Sequence, residues 1–180
     1  MTHLAAVLTI SDLGARGERE DTAGPAVAAM LAAEGFEVAE RAIVADDPDV
    51  IEERLVSWSE RGIRLVLTAG GTGLTARDHT PQATLRAIDY RVPGMEEAMR
   101  AASTAVVPTA MLSRGVVGVR GSTLIVNLPG SERAARENLA VILGVLEHAC
   151  DQLAGDTADV AALHEELKDE ASGAAGGAGA

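Results

Sequence analysis

Aromatic side chains are almost absent: Phe36, Trp58 and Tyr90 are the only ones among 180 residues. Basic residues are also scarce, 15 against 27 acids, for a formal charge of −12. A chain without stacking rings or a basic face is a poor match for nucleic acid. The single cysteine, Cys150, excludes an internal disulfide framework and fits a reducing cytoplasm. No apolar run approaches the roughly 20 residues that span a bilayer, and no secretory leader pattern is visible, so no membrane partner is expected. Proline is rare as well, with six in the chain, and each one serves to mark a boundary.

What is present is aliphatic. Hydrophobic residues make up 47% of the chain, enough for one domain with a core of Val, Leu, Ile and Ala. The charge is uneven. From Gly155 onward six acids face one lysine, which accounts for −5 of the −12 and leaves −7 on the body. Residues 155–180 end in a Gly/Ala-rich stretch and are expected to be a disordered tail, leaving residues 1–154 as the folded domain.

Along that domain, apolar runs of strand length alternate with helical spacing. Leu4 to Ile10 reads as a strand, followed by a charged loop and a helix opening at Gly24-Pro25. Phe36 to Ala45 is a second strand. Asp47 caps a helix whose inward face is Ile51, Leu55 and Trp58. Leu65 to Thr68 is a third strand, and Thr80-Pro81 opens the next helix. After Pro93-Gly94 comes a helix from Met95 to about Ser103. Val116 to Arg120 and Thr123 to Asn127 then flank Gly121-Ser122 as a β-hairpin. A final helix carries Leu139, Ile142, Leu143, Leu146, Ala149 and Leu153 on one stripe. This order predicts a doubly wound α/β domain, a mostly parallel sheet with helices on both faces.

Ligands in such sheets bind beyond the carboxyl ends of the strands. The residues there are Ser11-Asp12, Asp46-Asp47, Gly70 to Asp78 and Leu128 to Ser131. Gly70-Gly71-Thr72-Gly73 is either a tight turn or a loop whose free N–H groups cradle an anion. It is no P-loop, because no Gly-Lys-Ser/Thr follows. The late helix start at Pro81 also argues against a dinucleotide fingerprint. Asp78 and Asp46 each read equally as loop or capping residues, or as two carboxylates sharing a divalent cation such as Mg²⁺. Ser131 caps the last helix, whose N-terminus also suits an anion. His79 stands beside Asp78, as an acid–base group or as an incidental loop residue, and Cys150 belongs to the packing stripe.

The segments ISDLGARGEREDTAGP, VADD, LTAGGTGLTARDHTPQAT, PGM, MLSR and NLPGS occur in the order and spacing of a known family. From Leu4 to Leu153 the chain resembles the molybdopterin-binding proteins of molybdenum-cofactor biosynthesis, including molybdopterin adenylyltransferases and the G domain of gephyrin. The resemblance implies Mg²⁺-dependent transfer of AMP from ATP to the terminal phosphate of molybdopterin, with release of pyrophosphate. It also implies a cytoplasmic homotrimer and a molybdenum-insertion partner protein. Carried over by position, Asp46 and Asp78 would serve metal binding and catalysis. Ser11, Gly70, Gly71, Thr72, Gly73, Pro129, Gly130 and Ser131 would hold phosphate and pterin groups. Ser113 and Arg114 would line the substrate side, and Asp21 with the Thr22 to Pro25 turn would border the pocket. Three positions depart from the family pattern: Ala69 in place of Ser or Thr, Ala45 in place of proline, and His79 in place of valine. A binder without turnover and a metal-dependent nucleotide hydrolase are the alternative readings.

Overall fold

The computed structural model describes residues 2–155, and the tail expected beyond Gly155 lies outside them. Six strands form one sheet. In chain order they are β1 (Leu4–Ile10), β2 (Glu37–Val44), β3 (Leu65–Ala69), β4 (Tyr90–Arg91), β5 (Val117–Arg120) and β6 (Thr123–Leu128). Their order across the sheet is β2-β1-β3-β6-β5-β4. The first four of these are parallel, with β1 between β2 and β3, and β6 beside β3. The hairpin strand β5 returns antiparallel to β6 through the two-residue turn at Gly121-Ser122, whose glycine has φ of 55°. The short β4 adds a last antiparallel edge.

Alternation along the strands sends side chains to two separate cores. Ala5 and Val7, Leu65 and Leu67, and Leu124, Val126 and Leu128 face one side. There they meet α2 (Ala23–Ala33) and α6 (Glu132–Ala154). Ala6, Leu8 and Ile10 face the other, with Val66 and Ile125, against α3 (Pro48–Glu60) and α4 (Thr80–Ala87). Strands buried on both faces read as unbroken apolar runs, which is why β1, β3 and β6 were conspicuous in the sequence. In α6 the stripe is as expected: Leu139, Ile142, Leu146 and Cys150 are fully buried. Burial pushes the Cys150 thiol up to about 12, so it stays a neutral packing group.

Where sequence and structure differ, a local interaction explains it. The loop after β1 closes into a one-turn helix, α1 (Asp12–Ala15), because Ser11 Oγ accepts from Gly14 N at 3.0 Å. Helix α2 begins two residues before Pro25. Asp21 caps it, accepting from Gly24 N at 2.9 Å and from Thr9 Oγ1 at 2.8 Å. The helix expected from Met95 starts at Pro93 and runs to Val106 (α5), followed by a 3-10 turn at Pro108–Leu112. Two buried polar groups lock the β6 region. Asn127 Nδ2 donates to Thr68 Oγ1 (3.1 Å) and Thr84 Oγ1 (2.9 Å), while its Oδ1 accepts from Val116 N at 3.2 Å.

The other is Glu96 of α5, with a side chain 0% exposed. It accepts from Arg91 (2.5 and 3.1 Å), from Arg100 at 3.3 Å and from Val117 N at 3.0 Å. Burial works to raise its pKa, but these partners outweigh it and hold the carboxyl below the ordinary glutamate range. Glu96→Gln should therefore cost about 2 kcal/mol in denaturant unfolding at neutral pH, because the arginines lose a charged acceptor. A depressed folded pKa stabilises above the unfolded value, so the difference between variant and wild type should shrink as pH falls below the ordinary glutamate range and vanish once it has passed the lowered folded value.

Candidate functional site

The strand order reverses direction between β1 and β3, and a cleft of about 420 Å³ opens at their carboxyl ends. Ser11 and Asp12 line it after β1, Asp46 after β2, Gly70 and Gly71 after β3, and Gly130 and Ser131 after β6. All four segments picked out from strand ends thus reach one cavity. A second cleft of about 310 Å³ lies on the other side of the glycine loop. It is lined by Thr72, Gly73, Ser113 and Pro129, with Val106 and Val107 as apolar wall. Most of the expected site residues therefore divide between two neighbouring clefts, with residues 70–73 as the partition, whereas Asp78 and Arg114 line neither.

Glycine at 70 and 71 is a steric requirement. Gly70 has φ of 117°, and a Cβ there would lie 2.2 Å from the carbonyl oxygen of Ile10. Gly71 has φ of 63°, and a Cβ would fall 2.3 Å from Thr80 Oγ1 and 2.6 Å from Asp46 Oδ1. Thr80 fastens the turn from the start of α4, donating from Oγ1 to Gly70 O at 2.9 Å and from N to Gly71 O at 3.2 Å. Gly70 N donates to Leu128 O at 3.1 Å, which ties the loop to the end of β6. The outer part of the loop is held by Arg114, which donates to Gly73 O at 2.7 Å and to Asp78 O at 2.6 Å. Arg114 thus braces the loop rather than standing free in a cleft.

The two acids have opposite surroundings. Asp46 Oδ1 is buried and has no hydrogen-bond partner among the described residues. Burial, aided by the charges of Asp12 and Asp78 and opposed by Arg77 and His79, pushes the Asp46 carboxyl up to about 6. Burial also works to raise Asp78, but hydrogen bonds from Thr75 and Gly73 and the charge of Arg114 hold it below the ordinary range. Its Oδ2 accepts from Thr75 N at 2.7 Å. Asp78 is therefore a firm anion and a loop brace, and Asp46 an unsatisfied carboxyl at the threshold of ionisation.

The structure adds residues that the sequence reading left out of the site. Asp12 accepts from Asp46 N at 3.0 Å and binds Arg77 through two bonds of 2.7 and 2.9 Å. That fork holds the Asp12 carboxyl below the ordinary range. The strand-end rule that pointed to Asp46 pointed to Asp12 as well but gave it no role, whereas nothing in spacing pairs Arg77 with a residue 65 positions away. His79 occupies the N-cap position of α4 but makes no capping bond with its side chain. Ser131 caps α6, accepting from Ala134 N at 3.3 Å.

A family described as a "probable molybdopterin binding domain" matches residues 6–148. The chain belongs to this molybdopterin-binding family. Among curated relatives, the chain is 39% identical to molybdopterin adenylyltransferase from Helicobacter pylori J99, over 83% of this chain and 87% of that one. It is 36% identical to gephyrin from Dictyostelium discoideum, over 81% of this chain but only 22% of that larger protein. The molybdopterin biosynthesis enzyme MoaB from Thermus thermophilus superposes with a TM-score of 0.81 at 49% identity, covering 86% of this chain and 98% of MoaB. The molybdopterin-binding fold accordingly includes the whole sheet and both clefts.

The orphaned Asp46 gives a direct measurement. A carboxyl whose folded pKa lies above its unfolded value stabilises when protonated, and this stability is lost as pH rises through about 6. In protein stripped of metal, Asp46→Asn should melt higher than wild type at about pH 8, with the gap closing as pH falls below about 6. A lower melting temperature for the variant at the alkaline end would mean that the ionised carboxylate is already well partnered.

Proposed function

We propose that the protein is a molybdopterin adenylyltransferase of molybdenum cofactor biosynthesis, which transfers AMP from ATP to the terminal phosphate of molybdopterin. The observation that carries this reading is the buried, partnerless Oδ1 of Asp46, packed against the Gly70-Gly71 turn in a cleft lined by further acids. An oxygen in that condition suits a divalent cation. Among the described residues no group of three or more His, Cys, Asp or Glu forms a ready-made metal cage. Mg²⁺ does not need one, since it is commonly held by one or two carboxylates together with substrate phosphates. Asp46 and Asp78 are the side chains that would hold it. A cation held by these carboxylates would supply charge to offset the repulsion between two phosphate anions.

The remaining work falls to the protein. The two clefts on either side of residues 70–73 suit two substrates that must meet end to end, with the glycine turn at the junction. In this reading the N–H groups of Gly71 and Thr72, and those of the α6 N-terminus at Ser131, would receive phosphate oxygens, while Gly70 N stays with Leu128 O. Because Thr80, Leu128 and Arg114 hold the loop before any substrate arrives, little reorganisation is required at the moment of transfer. The molybdopterin phosphate is itself the nucleophile, so no covalent enzyme intermediate is needed. The same reading includes the homotrimer: Val106, Val107, Met111 and Leu112 stand exposed together at the end of α5, an apolar stretch available to a second subunit.

The test is to incubate purified protein with molybdopterin, ATP and Mg²⁺ and follow pyrophosphate and adenylylated molybdopterin. Asp78→Asn keeps the loop acceptor for Thr75 N but removes the charge. It should lower turnover by about 100-fold or more, the scale expected when a group that stabilises transition-state charge is lost, while molybdopterin still binds. Wild-type protein that binds molybdopterin and releases no pyrophosphate would be a binder. Nucleotide hydrolysis without any pterin would indicate a hydrolase instead.

A further inference from the structure

We propose that Arg77 is a triphosphate-recruiting residue whose guanidinium, parked on Asp12 in the free protein, transfers to the nucleotide when it binds. This rests on the adenylyltransferase reading for the identity of the nucleotide, but it is carried by the arrangement of charges around the first cleft. That cleft is lined by Asp12, Glu20, Asp21 and Asp46, with Arg19 as the one basic side chain on its wall, so a polyanion approaches a mainly acidic surface. Nearby guanidinium groups are mostly committed elsewhere. Arg114 is held by two loop carbonyls, Arg100 by Glu96 and Gly115 O, and Arg16 by Glu18, while Arg19 lines the cleft without being forked to any of its acids. Arg77 is bound only to Asp12, through a planar fork of two bonds, and its side chain is 61% exposed.

That fork is the same geometry by which arginine binds phosphate, so the Asp12 carboxylate stands where phosphate oxygens can replace it. Magnitude favours the exchange. An exposed carboxylate–guanidinium pair contributes little to stability and is easily given up, whereas a triphosphate offers several negative charges to the same fork. Nor is the loop dependent on Arg77 for its shape. Arg114 clamps it at Gly73 and Asp78, and Asp78 clamps it at Thr75. The Arg77 side chain leaves this braced segment and reaches across to the turn after β1, a contact useful for reporting or meeting something in the cleft. When it leaves, Asp12 keeps its bond from Asp46 N, so the wall itself need not rearrange.

The experiment is a double-mutant cycle read by calorimetric binding, with α,β-methylene-ATP and adenosine as probes in the presence of Mg²⁺. Arg77→Ala should weaken the triphosphate probe about tenfold or more, as loss of a bidentate charged contact does, and leave adenosine unchanged. Asp12→Asn should tighten the triphosphate probe by about two- to fivefold, since it removes the competitor for the fork. That gain should disappear when Arg77→Ala is already present. A gain of equal size in both backgrounds would show a general field effect and overturn the exchange. So would weaker triphosphate binding by Asp12→Asn, or unchanged binding by Arg77→Ala. If wild type binds neither probe, the adenylyltransferase reading falls and this inference with it. If wild type binds both and Arg77→Ala matches it, the inference alone falls.

Discussion

The functional edge of this domain depends on how closely the turn after β3 approaches the end of β1. At Gly70 the backbone lies so near the Ile10 carbonyl that no side chain can intervene, and at Gly71 it lies directly against Asp46 and Thr80. That approach brings the three strand ends into one cavity and leaves residues 70–73 as a thin wall between two clefts. It also dehydrates Asp46, which produces its raised pKa and partnerless oxygen. Geometry and electrostatics at the site therefore have one origin, a backbone contact that only glycine allows.

Much of this was legible in the chain itself. Strands buried on both faces show as unbroken apolar runs, and the parallel order follows from their alternation with helices. Ile51, Leu55 and Trp58, and the stripe of α6, declared themselves by helical spacing. Asp47 and Ser131 were legible as caps because their hydrogen bonds are local, within three residues. The features that escaped depend on long-range contact. Strand β4 is two residues long and exists only because β5 is beside it. The early start of α2 comes from Asp21 being held by Thr9 across 12 positions, and the Asp12–Arg77 fork spans 65. Periodicity carries no record of such pairings. The chemistry was partly legible: two acids at strand ends suggested a cation and phosphate, while the pterin came from family resemblance.

An acidic protein that handles anions must solve a problem of local field, and the distribution of arginines suggests how. With 15 basic residues against 27 acids, the surface as a whole repels phosphate. Guanidinium groups are instead spent on internal partners. Arg91 and Arg100 neutralise the buried Glu96 beneath the sheet edge, and Arg114 holds the loop carbonyls. This leaves a mainly acidic cleft in which attraction must come from Arg19 on its wall, backbone N–H groups, a bound cation or an arginine that can change partner. An anion arriving without a cation meets the partnerless oxygen of Asp46, whereas Asp12 is paired with Arg77.

The contrast between Asp46 and Asp78 argues that identical side chains in the segments after β2 and β3 do different work. Asp78 belongs to its loop: hydrogen bonds from Thr75 and the charge of Arg114 keep it ionised whether or not a ligand is present. Asp46 belongs to the cleft. Its backbone N–H is anchored by Asp12, so the carboxyl is fixed in place, yet its buried oxygen has been given no donor. A residue that served the fold alone would lower its free energy by protonating or turning to water. Holding it in place, poised near neutrality and facing two other acids, destabilises the free protein slightly, and binding a cation would relieve that strain.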